Sequence, residues 1–211
     1  MRIGIIGTGN VGSAVGTRWA LAGHDVMFGA RDAKSPEVRA LVAAAGKSAR
    51  AGTVAEAAAF GPVVVLATPF EATESAIRQA GDLGGKVVID CTNPLRPDLS
   101  ALSVGHTTSG AESVARWAKG ARVVKALNTT GAGNMTDPRY PEAPATMFVC
   151  GDDAGAKATV SELVKALGFD VVDAGPLAQA RLLEPLAMLW IWLAYQGRLG
   201  PNIAFRLMRR S

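Results

Sequence analysis

The feature that most constrains this chain is a glycine-rich turn, GTGNVG, that begins at residue 7 directly after an apolar run at 3–6. A helical pattern of apolar residues follows as far as Gly23, and a second apolar run occupies 26–28. Strand, glycine turn, helix and strand in this order form the unit that binds dinucleotides in Rossmann folds. The sequence therefore predicts an α/β fold that is built on this unit.

Each glycine of the turn is expected to have its own physical task. Gly7 can adopt the backbone angles of a tight turn. Gly9 allows the main chain to approach a pyrophosphate, and Gly12 allows the helix to pack closely on the strand. The helix N-terminus offers free N–H groups and partial positive charge to the phosphates. We predict that the whole turn binds the cofactor: Gly7, Thr8, Gly9, Asn10, Val11 and Gly12.

The end of the second strand selects between NAD and NADP. NAD sites usually place an acidic residue there for the ribose 2′-hydroxyl, whereas NADP sites place arginine near the 2′-phosphate. Here small residues precede Arg31, and Lys34 and Ser35 follow closely enough to join a phosphate pocket. Asp32 favours NAD, because it lies about twenty residues beyond the turn. We predict NADP(H), with Arg31, Lys34 and Ser35 at the 2′-phosphate and Asp32 turned away.

Composition narrows the class of protein. A chain of 211 residues with 49% hydrophobic content can bury one α/β core with an appendage. Its net charge of +4 without a basic run does not indicate nucleic-acid binding. Cys91 and Cys150 lie in apolar runs without a CxxC motif, which indicates buried, reduced thiols. We also expect no signal peptide before the first strand, no membrane span, and a cytoplasmic location.

Strands and helices alternate along the rest of the chain. Their order predicts a Rossmann-type doubly wound, mostly parallel sheet. Residues 1–145 would form the dinucleotide-binding domain, and 146–211 a small C-terminal strand–helix appendage. We predict helices capped by Ser35, by Thr53 with Glu56 and by Ser109 with Glu112, and others at 71–80 and 153–168; strands at 63–67, 86–90, 121–127, 146–149 and 169–172; and a loop at 91–108.

The segment 177–195 is almost wholly apolar and is interrupted lightly at Glu184. A helix that is apolar on every face packs against other helices or against a partner subunit. We therefore expect core or a homodimer interface here. Trp190, Trp192 or Tyr195 can in addition wall a pocket for a flat ring, so the appendage would form both the acceptor pocket and the interface.

Short polar residues and prolines follow several strands, where open α/β sheets bind ligands. Thr68 and Pro69 follow the strand at 63–67, Asn93 follows 86–90, and Asn128 and Thr129 follow 121–127. We predict that they contact the ribose and carboxamide of the cofactor. The alternative for each is a turn or a helix cap, since these residue types favour such positions anyway.

The residues that are absent from the sequence indicate the type of acceptor. The chain has two histidines, His24 and His106, and no Tyr-x-x-x-Lys, HExxH or GxSxG motif. Carbonyl reduction normally needs a placed general acid. Hydride transfer to a ring that is itself a cofactor does not, because the protein then only aligns the two rings. We therefore predict a planar ring acceptor, no catalytic side chain and no metal.

Several motifs resemble the NADPH-dependent reductases of the deazaflavin coenzyme F420. The resemblance covers nearly the whole chain: GTGNVG, GARD at 29–32, VCGDD at 149–153, DAGPL at 173–177, and then Arg181, Leu182 and Glu184. It implies that Thr8 and Arg31 bind NADP and that coenzyme F420 is the leading acceptor.

The chain departs from that family's pattern at two places. The family's serine before the arginine is Ala30 here, and its His-Thr pair near the deazaflavin is Asn128-Thr129. The Asn128-Thr129 pair of this chain is instead similar to the pair in the cytosolic domain of the six-transmembrane metalloreductases. A flavin or another small electron acceptor is therefore the alternative substrate, and a non-catalytic NADP-binding sensor is the alternative class.

Overall fold

The fold is built on one sheet of eight strands, described over residues 1–210 by a computed structural model. The strands are β1 (Arg2–Ile6), β2 (Asp25–Gly29), β3 (Ala49–Gly52), β4 (Val63–Leu66), β5 (Val87–Asp90), β6 (Arg122–Lys125), β7 (Thr146–Gly151) and β8 (Asp170–Asp173). Their order across the sheet is β3-β2-β1-β4-β5-β6-β7-β8. The strands β1 to β6 are parallel, and β7 is antiparallel to β6. The predicted doubly wound, mostly parallel sheet is confirmed.

Helices cover both faces of this sheet. They are α1 (Asn10–Leu21), α2 (Pro36–Ala45), α3 (Val54–Phe60), α4 (Phe70–Ala80), α5 (Gly110–Trp117), α6 (Ala132–Thr136), α7 (Ala154–Leu167) and α8 (Ala180–Ile191). Val63 and Val65 of β4 belong to the apolar cluster that includes α1 and α7. Val64 and Leu66 belong to the cluster that includes α4, α5 and α8. Because both faces are buried, β4 is apolar at every position.

The predicted helix starts agree with the hydrogen bonds. Ser35 caps α2 through its side chain. Thr53 and Glu56 form the reciprocal capping box of α3. The hydroxyl of Ser109 accepts the N–H of Glu112 at 3.1 Å, at the start of α5. Side-chain oxygens thus satisfy backbone donors that the first turn of a helix leaves free.

Two features of the sheet differ from the expectation. The edge strand β3 is absent from the sequence prediction, because its residues, ARAG, carry no apolar alternation. The strands β7 and β8 of the predicted appendage extend the same sheet through the pairing of β6 with β7. Residues 146–173 therefore continue the core that residues 1–145 begin.

The predicted apolar segment forms α8, which runs through Glu184 and Pro185 and continues as a π-helical turn, Trp192–Gln196. The chain beyond it contacts α8 and the first residue of β7. The indole N–H of Trp190 donates to the carbonyl of Ile203 at 2.7 Å, and the N–H of Thr146 donates to the carbonyl of Phe205 at 3.0 Å. Within residues 1–210, no helix has the length and apolar character needed to cross a bilayer.

Candidate active site

A cleft opens at the carboxyl ends of β1, β4 and β5 and contains two adjoining pockets. The first, here named the β2 pocket, has a volume of about 520 Å³ and is lined by Gly7, Thr8, Gly29, Ala30, Arg31 and residues of α4. The second, named the β5 pocket, has a volume of about 310 Å³ and is lined by Asn10, Val11, Phe70, Cys91, Thr92, Asn93 and Leu95. Both are also lined by Gly9, Ala67, Thr68 and Pro69. Shared walls make the two pockets one elongated cleft.

The three glycines of the turn differ in their surroundings. Gly7 has a φ of 110°, and a Cβ there would meet the carbonyl of Ala67. A Cβ at Gly12 would meet the carbonyl of Gly7, so only glycine lets α1 start this close to β1. A Cβ at Gly9 would have no neighbouring atom within 4 Å. Gly9 therefore borders open space in the cleft, where a ligand can approach the main chain.

The N-terminus of α1 has features that favour the binding of an anion. Its N-cap residue, Gly9, makes no side-chain capping hydrogen bond, and the first turn contains no acidic residue. Asn10 and Val11 of this turn line the β5 pocket. Backbone N–H groups and the helix dipole at such an end favour phosphate.

Arg31 lines the β2 pocket, as predicted for a 2′-phosphate contact. Asp32 is not among the lining residues, and its Oδ1 accepts the N–H of Lys34 at 2.9 Å within the turn after β2. Lys34 is exposed in that turn, and the Ser35 hydroxyl accepts the N–H of Val38 as the cap of α2. The structure thus brings Arg31 to the pocket but leaves Lys34 and Ser35 off its wall.

Thr68 and Pro69 fit both interpretations of residues at the strand ends, as ligand contacts and as parts of a turn or helix cap. Both line the cleft, and Pro69 is also the N-cap residue of α4. The Thr68 hydroxyl lies 2.9 Å from that of Thr73, which in turn donates to the carbonyl of Pro69 at 3.0 Å. Hydrogen bonds at the start of α4 therefore fix two residues that also line the cleft.

Asn93 lines the β5 pocket, whereas Asn128 and Thr129 lie buried behind it. The Asn128 amide donates to Asn93 Oδ1 at 3.1 Å and to the carbonyl of Leu183 in α8 at 3.2 Å. The Thr129 hydroxyl faces the sulfur of Met147 at 3.7 Å. Asn128 and Thr129 are 4% and 3% exposed and are not among the residues that line the two pockets.

Sequence reasoning missed a cluster of charges behind the β5 pocket. Lys125, Asp90 and Glu184 are each 0% exposed. Lys125 Nζ lies 2.9 Å from Asp90 Oδ2 and 2.9 Å from Glu184 Oε1. Burial opposes the charge on the lysine, but the two carboxylates outweigh it and raise the pKa of Lys125. The available signal was three charged residues within apolar segments, since buried charges require partners.

The residues after DAGPL fasten α8 to the start of α5. Glu184 accepts the N–H groups of Gly110 and Ala111 at 2.9 and 3.0 Å. Arg181 pairs with Glu112 through two hydrogen bonds, at 2.9 and 2.6 Å. The bonds from Arg181 lower the pKa of Glu112. Arg181 and Glu184, both part of the sequence resemblance, thus have a structural task at this junction.

The cleft offers no acid–base group. Arg31 and Cys91 have the only titratable side chains among the residues that line the two pockets. Burial raises the pKa of the Cys91 thiol far above its ordinary value, so Cys91 is not a reactive thiolate. Within residues 1–210, no group of three or more His, Cys, Asp or Glu residues could hold a metal ion. Such a cleft suits alignment of ligands rather than proton transfer by the protein.

The sheet order, the glycine turn and the cleft define a dinucleotide-binding Rossmann protein. Residues 2–94 match the family model described as NADP oxidoreductase, coenzyme F420-dependent. The chain is 31% identical to the F420-dependent NADP reductase of Methanothermobacter marburgensis, over 94% of this chain and 95% of that protein. It therefore belongs to the F420-dependent NADP reductase family and is an oxidoreductase of that family.

The chain is also similar to a solved structure and to a relative from a different group of reductases. A crystal structure of a candidate F420-dependent NADP reductase from Arthrobacter sp. FB24 superposes with a TM-score of 0.90 at 35% identity, covering 99% of this chain and 100% of that one. The metalloreductase STEAP3 of Rattus norvegicus is 32% identical over 90% of this chain, which spans only 38% of that protein's length. The match to the reductases, unlike the match to STEAP3, thus extends along both chains.

We predict that Gly9→Val abolishes dinucleotide binding and preserves the fold. A Cβ at this position has no protein atom within 4 Å, and the side chain would fill the space that the pyrophosphate needs. Gly12→Ala should in contrast destabilise the fold by roughly 1–3 kcal/mol, because its Cβ would overpack against the Gly7 carbonyl. Calorimetric titration and thermal unfolding measure the two effects. Near-normal affinity of the Gly9→Val variant would contradict this assignment.

A second prediction concerns stability at alkaline pH. Burial raises the pKa of the Cys150 thiol to about 12, above its value in the unfolded chain. The stability from this shift is complete below the unfolded thiol's pKa of about 8.5 and is lost as pH rises through the folded value. In urea unfolding from about pH 8 to 11, Cys150→Ala should therefore lose less stability than the wild type. Parallel curves for the two proteins would contradict the shift.

Proposed function

We propose that this protein transfers a hydride between NADP(H) and a planar ring acceptor, with coenzyme F420 as the leading acceptor. The observation that carries the proposal is the cleft itself. It joins a glycine turn and Arg31 to a second pocket whose walls provide no acid–base group. Hydride transfer between two rings requires placement of the rings and no proton donor from the protein.

The residues present fit NADP(H). Open space at Gly9 and the uncapped start of α1 suit the pyrophosphate, which the turn from Gly7 to Gly12 would hold. Arg31 would hold the 2′-phosphate at the far end of the β2 pocket. A side chain at Gly29 would approach Ala57 Cβ at 2.8 Å, so the small residues before Arg31 leave no acid for a free ribose hydroxyl.

The β5 pocket would receive the nicotinamide half. When bound, NADPH supplies the hydride. Thr68, Pro69 and Asn93 provide the nearby polar groups and turn geometry, while Phe70 and Leu95 contribute apolar walls. These walls exclude water around the reacting rings, and the residues of the pocket contribute to the rate by holding the rings in place.

Coenzyme F420 is favoured over other acceptors by the relatives. The reductase of Methanothermobacter marburgensis carries that coenzyme in its name and is matched along 95% of its length. The similarity to STEAP3, together with Asn128-Thr129 at the end of β6, favours a flavin or another small electron acceptor as the alternative. A nucleotide-binding sensor without turnover is the alternative of a different class, because such a protein also needs no acid–base group.

An acceptor panel tests the proposal. Purified protein is mixed with NADPH and, separately, with coenzyme F420, FMN, FAD and a ferric chelate, and NADPH oxidation is followed. We expect the largest kcat/KM with coenzyme F420. Faster turnover with a flavin or ferric chelate would transfer the assignment to that acceptor. Tight NADPH binding without turnover of any acceptor would favour the sensor.

Arg31→Ala should weaken NADPH binding by about 2 kcal/mol, the range for hydrogen bonds to charged groups. NADH binding should change little, because NADH lacks the 2′-phosphate. Arg39→Ala, an exposed arginine of α2 that does not line the cleft, is the matched control. Fluorescence titration with both nucleotides measures the effect, and equal losses for NADPH and NADH would contradict an NADP site.

The exposed apolar side chains near the C-terminus support a homodimer. Leu189, Trp192, Tyr195 and Leu199 are 48%, 49%, 61% and 60% exposed. Tyr195 also borders an open groove that reaches Asn10 at the start of α1. Large apolar groups on a surface mark partner sites, and twofold pairing is the commonest arrangement. In such a dimer the C-terminal helices would lie at the interface and close to the acceptor.

Light scattering should report about twice the chain mass of 21.8 kDa. Trp192→Glu should shift the protein toward the monomer, because a charge would be buried at the interface. Arg39→Glu on α2, an exposed position outside this group of apolar side chains, is the control. A wild-type monomer at micromolar concentration would contradict the interface.

A further inference from the structure

The buried charged cluster is hydrogen-bonded to Thr92, which lies on the wall of the β5 pocket. Lys125 Nζ donates to the carbonyl of Thr92 at 2.5 Å. Asp90 Oδ1 accepts both the N–H of Thr92, at 2.9 Å, and its hydroxyl, at 2.7 Å. Each hydrogen-bonding group of Thr92 is therefore held by Lys125 or Asp90.

The same charges fix the helix α8. Glu184 of this helix contacts Lys125 at 2.9 Å, and the carbonyl of the preceding residue, Leu183, accepts the Asn128 amide at 3.2 Å. Asn128 in turn hydrogen-bonds to Asn93 on the wall of the β5 pocket. Successive residues of α8 are thus connected to Thr92 and to Asn93 by two separate routes.

Stability alone is a poor reason for this arrangement. Two carboxylates face one ammonium group, and the N–H groups at the start of α5 complete the environment of Glu184. Apolar residues of similar volume often replace a buried ion pair without loss of stability. Apolar packing cannot reproduce the directional hydrogen bonds that hold the N–H, hydroxyl and carbonyl groups of Thr92.

We propose that Lys125 is a positioning residue for hydride transfer. It fixes the position of Thr92 relative to α8, and Thr92 in turn forms part of the wall against which the reacting rings are aligned. This inference rests on the proposed function. It concerns the β5 pocket, whereas the groups that would hold the phosphates lie at the turn after β1 and at Arg31. Loss of Lys125 should therefore impair the chemical step and leave NADPH affinity nearly unchanged.

The test uses Lys125→Met together with Glu184→Gln, which keeps the net charge of the buried cluster while removing the bond to Thr92. We expect kcat to fall by at least about tenfold, as small misplacements of reacting groups allow. The primary deuterium isotope effect with 4-deuterated NADPH should rise, because hydride transfer becomes rate-limiting. The Kd for NADPH should stay close to that of the wild type. A merely structural role would lower the folded fraction without changing the isotope effect.

Lys125→Met together with Asp90→Asn provides a second variant with the same net charge and without the bond to the Thr92 carbonyl. The remaining carboxylate, Glu184, keeps the N–H groups of Gly110 and Ala111, so the proposal stays testable if the first double variant fails to fold. This second variant should also raise the isotope effect. Lys157→Met is the matched control, because Lys157 likewise bridges a carboxylate, Asp173, and a backbone carbonyl, Gly175, but in the β7–β8 region outside the pocket linings. Its kcat and isotope effect should equal those of the wild type.

The outcomes separate the inference from the function on which it rests. A wild type that turns over no acceptor would contradict the proposed function, and the inference would fall with it. An active wild type alongside an unchanged isotope effect in folded Lys125→Met/Glu184→Gln, or in folded Lys125→Met/Asp90→Asn when the first double variant does not fold, would overturn the positioning role alone. Equal impairment in Lys157→Met would overturn it too.

Discussion

A lysine ammonium group that is sealed from water is the constraint on which the rest of this structure depends. Lys125 can keep its charge only if anionic partners meet it, and these come from the end of β5 and the middle of α8. Three segments that are far apart in sequence must therefore converge behind the cleft. Removing one member of such a group typically costs about 3–5 kcal/mol, because an unpaired charge remains buried.

The cleft combines this long-range constraint with a local one. The glycine turn between β1 and α1 is determined by close contacts over a few residues: Gly7 at a positive φ, and Gly12 against the Gly7 carbonyl. The β5 pocket is instead placed by α8 through Thr92 and Asn93. The glycine turn thus follows from the first residues of the chain, whereas the β5 pocket also depends on α8.

This division also explains what the sequence could predict. The dinucleotide-binding unit, the capped helices and the buried strands follow from local patterns, and the structure confirms them. Ligand contact by Asn128 and Thr129 stays a prediction, and the local pattern did not indicate that both are buried or that the Asn128 amide donates to the carbonyl of Leu183 in α8. The edge strand β3 and the Lys125 cluster depend on pairings between distant segments, which periodicity does not reveal.

Direct hydride transfer from NADPH to a ring acceptor in the cleft is the proposed reaction, and alignment of the two rings is the proposed contribution of the protein. The most direct measurement is a single turnover with NADPH deuterated at the transferred position, followed by mass spectrometry of the reduced coenzyme F420. In ordinary water, we expect the reduced coenzyme F420 to carry one deuterium. Reduced acceptor without the label, or label released to solvent, would contradict direct transfer in this cleft.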